Sequence, residues 1–166
     1  MRKSAKPMAY CAMTAALGVV LMVLGAFLEL GIYMAPILVG LCFVPIGKLY
    51  GRRWQLTLYI VTGILCLLLV PNVEQNLLFI TLFGWYPALH PTLQKLPAVL
   101  RWLCKLALFN AAIIGAEWLV MKVLAPEVIA PVFLAILLLL GNVTFVVYDF
   151  LIPRVDLLLQ RIFHKK

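Results

Sequence analysis

Asn110 and Glu117 stand seven positions apart inside one long apolar run, so on a helix they share a face, with Ile113, Ile114 and Met121 around them. A charged carboxylate deep in lipid costs on the order of 2.5–3.5 kcal/mol even on insertion scales. Glu117 must therefore meet the interior of a bundle, a cavity or a partner. Two roles fit: a structural group bonded to a neighbouring helix, or a contact for a substrate or ion. Lys122 lies about 140° round the helix from Glu117 and is a poor partner within it.

Other polar residues recur at helical spacing. Asn142, Phe145 and Asp149 share a face, with Thr144 beside it. Asp149 falls where Lys105 or Arg101 could pair with it, which predicts a structural role. Gln75, Asn76 and Thr81 precede the run Phe83-Gly84-Trp85-Tyr86-Pro87, where Trp85 and Tyr86 beside a basic loop fit an interfacial aromatic belt. His90 and His164 lie among basic residues and read as solvated interfacial side chains. Catalytic spacings are missing: there is no HExxH, no GxSxG, no phosphate-binding glycine loop and no carboxylate–His cluster. The expectation is a protein that is not an enzyme and carries no cofactor. Cys11, Cys42, Cys66 and Cys104 sit singly in apolar runs and read as apolar filler, with a disulfide or metal site second.

The elements that must position these groups are membrane spans. The chain is 66% hydrophobic and 12% charged, far from a soluble composition, with a mean hydropathy of +1.11. Its net charge of +8 lies in short clusters between apolar runs and forms no continuous stripe, which argues against nucleic acid. Met8–Leu28 carries no charge and is long enough to cross a hydrocarbon core of roughly 30 Å. It exceeds a signal-peptide core, ends without a small-x-small site and reads as a retained first span. The second span is about Gly31–Tyr50, broken by Pro36 and Pro45; the third is about Trp54–Val70. A shorter fourth covers about Gln75–Leu89, the fifth about Ala98–Leu124, and the sixth about Val128–Ile152, closed by Pro153. The expected fold is all-α: a polytopic membrane bundle of six transmembrane helices in a single domain over residues 1–166.

Orientation follows from the basic residues. With the N-terminus in the cytoplasm, every Lys and Arg except Lys122 falls inside, which predicts both termini cytoplasmic in a multi-pass protein of the cell membrane. Glu29, Glu74, Glu117 and Glu127 fall at or toward the outer side, while Asp149 and Asp156 fall toward the inner side.

The first span has a face of small residues. Ala5, Ala9, Ala12 and Ala16 stack on one side, with Ala15, Gly18 and Gly25 beside them. Small residues at this spacing let a second helix approach closely. The segment Ala12-Met13-Thr14-Ala15-Ala16, within Met8 to Gly18, together with six short-looped spans, resembles the S components of energy-coupling-factor (ECF) transporters. These are prokaryotic membrane subunits that capture vitamins and metal ions. The resemblance implies that the Ala5/Ala9/Ala12/Ala16 face docks on a transmembrane coupling protein with associated ATPases. Glu29-Leu30-Gly31-Ile32-Tyr33 departs from that family in being shorter than its usual first loop. Small polytopic scaffold proteins of the MreD type have a similar size and bundle, and a lone proton-coupled carrier using Glu117 is a third reading.

The expected site is an outward pocket between the outer halves of the fourth, fifth and sixth spans. Glu117 is its charged contact, Asn110 lies deeper on the same face, Glu74 and Asn76 flank the mouth, and Trp118 adjoins. The excess of outer acids over Lys122 favours a small substrate with positive charge or amine donors, or a metal cation.

Overall fold

Gly51 alone makes the connection between the second and third helices. Helix α2 (Gly31–Tyr50) ends and α3 (Arg52–Leu69) begins across this one residue. Its φ of +93° is a conformation that side chains rarely adopt. The turn sets Lys48 and Arg52 at the same end of the molecule. The structure, a computed structural model, describes residues 5–28, 30–123 and 131–163.

Six helical segments follow one another, and no strand occurs among the described residues. Besides α2 and α3 they are α1 (Ala5–Ala26), a broken fourth segment, α6 (Ala98–Val123) and α7 (Pro131–Phe163). The fourth consists of α4 (Val73–Leu78), a π-helical stretch Phe79–Phe83 and α5 (Tyr86–Leu93). The other five are long and apolar enough to cross a membrane. Large apolar side chains such as Leu17, Leu68, Leu103, Leu139 and Val147 are exposed along them, and lipid is the solvent that tolerates such surface. The fold is an all-α membrane bundle.

Three expected boundaries need correction. Pro36 and Pro45 do not break the second helix, which runs continuously through both. Prolines persist in membrane helices because neighbours satisfy the backbone groups they free. Pro153 does not close the last helix; α7 continues past it to Phe163, although Pro153 has no N–H for the carbonyl of Asp149 four residues back. The fourth span is not one helix over Gln75–Leu89 but the broken segment just described.

That break is well supplied with hydrogen bonds. Asn72 caps α4 by accepting from the Gln75 amide at 2.9 Å. Widening to π geometry leaves carbonyls poorly matched within the helix, and in lipid each must find a donor. Tyr59 Oη donates to Ile80 O at 2.8 Å, Trp85 Nε1 to Thr81 O at 2.8 Å, and Tyr148 Oη to Phe83 O at 3.1 Å. Gly40 on α2 makes room for the last of these. A Cβ there would collide with the Phe83 carbonyl and the Tyr148 hydroxyl.

Two clusters form the core. Met22, Val39, Phe43, Leu58, Cys66 and Phe79 join α1, α2 and α3 to the start of the broken segment. Phe83, Tyr86, Phe109, Phe145 and Tyr148 join its second half to α6 and α7. Within the second, Phe109 stacks on Phe145 at 4.6 Å between centroids, while Tyr86 meets the same ring edge-on at 5.1 Å. On α1 the side turned to α2 and α3 buries Ala15, Gly18, Met22 and Gly25.

Candidate functional site

The polar groups gather at the end of the bundle that also holds Lys48, Arg52, Arg53 and Arg101. Lys105, one turn from Arg101 along α6, is buried with 1% of its side chain exposed. It donates to both carboxylate oxygens of Asp149 on α7, at 2.7 and 2.6 Å. Tyr86 Oη donates to the same carboxylate, and His90 Nε2 lies 3.4 Å from it. One buried anion thus ties together α5, α6 and α7. Lys105 and Tyr86 both donate to a carboxylate that burial would otherwise leave without hydrogen-bond partners.

His90 connects this cluster to open space. It lines a cavity of about 570 Å³ between α2, α3, α5 and α7, with Lys48, Arg52, Gln55, Gln94 and Asp156 among its walls. The Gln94 side chain approaches His90 Nε2 at 3.0 Å and accepts from the Arg101 guanidinium at 3.1 Å. Lys48 pairs with Asp156 across the cavity mouth, joining α2 to α7. Gln55 is buried and donates to Phe43 O at 3.2 Å, with its amide oxygen packed against Gly47.

The Asp149–Lys105 pairing agrees with the role expected from the sequence. His90 does not: it is 6% exposed and held in the cluster, not solvated at an interface. With Asp149 it forms the carboxylate–His cluster that the sequence spacing did not show. Tyr86 is 0% exposed and belongs to the core, not to an aromatic belt, and Trp85 is partly buried with its indole N–H engaged. Lys105, counted from the sequence with the inner-side basic residues, lies inside the bundle.

The residues expected at the outer pocket are placed as follows. Asn110 forms a reciprocal amide pair with Asn142, at 3.2 and 2.9 Å, which clamps α6 to α7. Glu74 accepts from Tyr33 Oη at 2.8 Å. Asn76 is buried at 3% exposure and not at a rim; its amide donates to Val70 O at 3.1 Å while its oxygen has no partner among the described residues. Trp118 is exposed. Glu117 lies on α6, but its side chain is outside the described residues, as are Glu29, Glu127 and His164. The structure therefore brings Asn110 to Asn142 and Glu74 to Tyr33. Ala5, Ala9, Ala12 and Ala16 are all exposed on α1, on the side away from its packing face.

Gln75, fully buried, was not singled out as a site residue by the sequence; it donates to Met22 O at 2.9 Å, and its oxygen is without a partner among the described residues. His90 and Tyr86 were also missed, although their separation of four residues puts them on one helical face. Among the described residues no three His, Cys, Asp or Glu side chains are grouped to hold a metal. No family model, curated protein or solved structure matches the chain.

Proposed function

We propose that this chain is the membrane-embedded substrate-capture subunit of an ECF-type uptake transporter for a small cationic or amine-bearing micronutrient or metal ion. The observation that carries the reading is the open face of α1. Ala5, Ala9, Ala12 and Ala16 present a strip of small side chains that the chain's own helices leave uncovered. Such a strip suits close approach by a helix of a coupling protein. The rest of α1 packs inward on Ala15, Gly18 and Met22, so docking there need not disturb the bundle.

Buried acceptors at the opposite end support a substrate with hydrogen-bond donors. Gln75 Oε1 and Asn76 Oδ1 are buried acceptors without donors among the described residues, in the turn that also carries Glu74. Such acceptors suit an amine-bearing ligand, which supplies the missing N–H, or a cation that carbonyl oxygens coordinate. Glu117 is the charged contact in this reading. Glu117→Gln keeps shape and hydrogen bonding while removing charge, so uptake in cells that depend on the chain should fall to background. Unchanged uptake would make Glu117 structural and remove this site.

The reading also sets both termini in the cytoplasm. On a cysteine-free background, Val73→Cys and Glu127→Cys should react with an impermeant maleimide in intact cells, and His164→Cys should not. The reverse labelling overturns the orientation. One observation favours a second reading, a lone proton-coupled carrier: the Lys105–Asp149–His90 cluster borders an open cavity.

A further inference from the structure

We infer that His90 Nε2 is a proton-binding site: the neutral ring is held there by Gln94, and the protonated ring passes to Asp149 on α7. The site lies apart from the open face of α1 and from Glu117. It stands independently of the uptake reading, and its test reads proton binding, not transport.

The order of the hydrogen bonds fixes the starting state. Arg101 can only donate, so the Gln94 atom that meets its guanidinium at 3.1 Å is the amide oxygen. That orientation turns the Gln94 NH2 group to His90 Nε2, at 3.0 Å. Two N–H groups cannot bond to each other, so Nε2 is the acceptor and carries no proton. The neutral ring then holds its one proton on Nδ1. Arg101 on α6 thus sets the tautomer of a histidine on α5 through a single glutamine.

The same lone pair faces a carboxylate. Asp149 Oδ1 stands 3.4 Å from Nε2, with no hydrogen between the two acceptors. A proton taken from water onto Nε2 converts this contact into a charge-assisted hydrogen bond. The new N–H donates to Oδ1, Nδ1 keeps its hydrogen, and the Gln94 NH2 group loses its acceptor. Water has a route to the site. His90 and Gln94 both line the cavity of about 570 Å³, and Gln94 is exposed, so Nε2 is uncovered when that side chain turns away.

The surroundings decide when the proton binds. His90 lies on α5, outside the five spanning helices. Burial of the ring opposes a charge there, and Lys105 and Arg101 on α6 add to the opposition, while Asp149 and Asp156 on α7 favour it. Lys105 is already paired with Asp149 and Lys48 of α2 with Asp156, whereas Arg52 of α3 brings positive charge to the same cavity. Tyr86, edge-on to the ring at 6.1 Å, donates to Asp149. The ring is therefore neutral at neutral pH and takes its proton on acidification. Lys105 and the imidazolium then share one carboxylate, and the Gln94 end of α5 is released.

Nitrogen NMR of the full chain in micelles, with labelled histidine side chains, tests this. The chain has two histidines, so His164→Asn leaves the signals of His90 alone. At about pH 8 Nε2 should be bare and Nδ1 protonated, and Nε2 should gain its proton between about pH 7 and about pH 4. Gln94→Met removes the donor that favours the neutral ring. It should raise the midpoint of the titration by about half a unit to one unit, the loss of one hydrogen bond. Gln94 is exposed, so this variant leaves the fold in place. Arg53 is exposed and does not line the cavity, and Arg53→Gln should leave the midpoint where it is. A proton on Nε2 at the alkaline end overturns the inference, as does an Nε2 still bare at the acid end. A midpoint unmoved or lowered in Gln94→Met overturns it as well.

Discussion

Lys105→Met should destabilise the bundle by about 3–5 kcal/mol, the cost of stranding one member of a buried ion pair. Asp149 would keep the Tyr86 hydroxyl but lose both bonds from the ammonium, in surroundings where the whole residue is 5% exposed. Asp149→Leu alone should cost a similar amount by stranding the lysine. The double variant Lys105→Met/Asp149→Leu removes both charges and should recover most of the loss, because apolar replacements of a buried pair are often neutral or better. Unfolding titrations in mixed detergent micelles, followed by tryptophan fluorescence, measure all three. Single variants as stable as the parent would mean that the pair does not hold α6 and α7 together.

Ala12→Leu with Ala16→Leu should abolish partner capture while leaving the isolated bundle intact. Both positions are exposed, so stability should stay within about 0.5 kcal/mol of the parent. At a close helix crossing the added bulk has nowhere to go. Overpacking costs about 1–3 kcal/mol per site, and retention of a partner should fall by about tenfold or more. Equal retention would leave the face bare to lipid.

The contrast between these two predictions reflects what was legible in the sequence. Long, mainly apolar runs mark α1, α2, α3 and α6 because a lipid solvent demands them, and their observed limits lie close to the expected ones. Opposite charges near one end of the fifth and sixth spans pointed to the Lys105–Asp149 pair, since a buried charge in lipid needs a counter-charge. The fourth segment was not legible in the same way. Its π stretch depends on Tyr59 and Tyr148, donors distant in sequence that no local periodicity reveals. Tyr86 and His90 look interfacial beside Lys95 and Arg101, and only the tertiary approach of Asp149, 63 residues from Tyr86, buries them. Asn110 looked available for a ligand because its partner Asn142 lies on another helix. Pro153 looked like a stop signal, yet the helix continues to Phe163, past Asp156 and its contact with Lys48 on α2.

Copurification tests the central claim most directly. The tagged, full-length chain would be extracted in mild detergent from the membranes of cells that make it naturally, and its partners identified by mass spectrometry. A transmembrane coupling protein and its ATPases should be recovered with the parent chain and lost with Ala12→Leu/Ala16→Leu. Recovery of envelope-synthesis proteins instead, or of the chain alone, would contradict the proposed role in uptake.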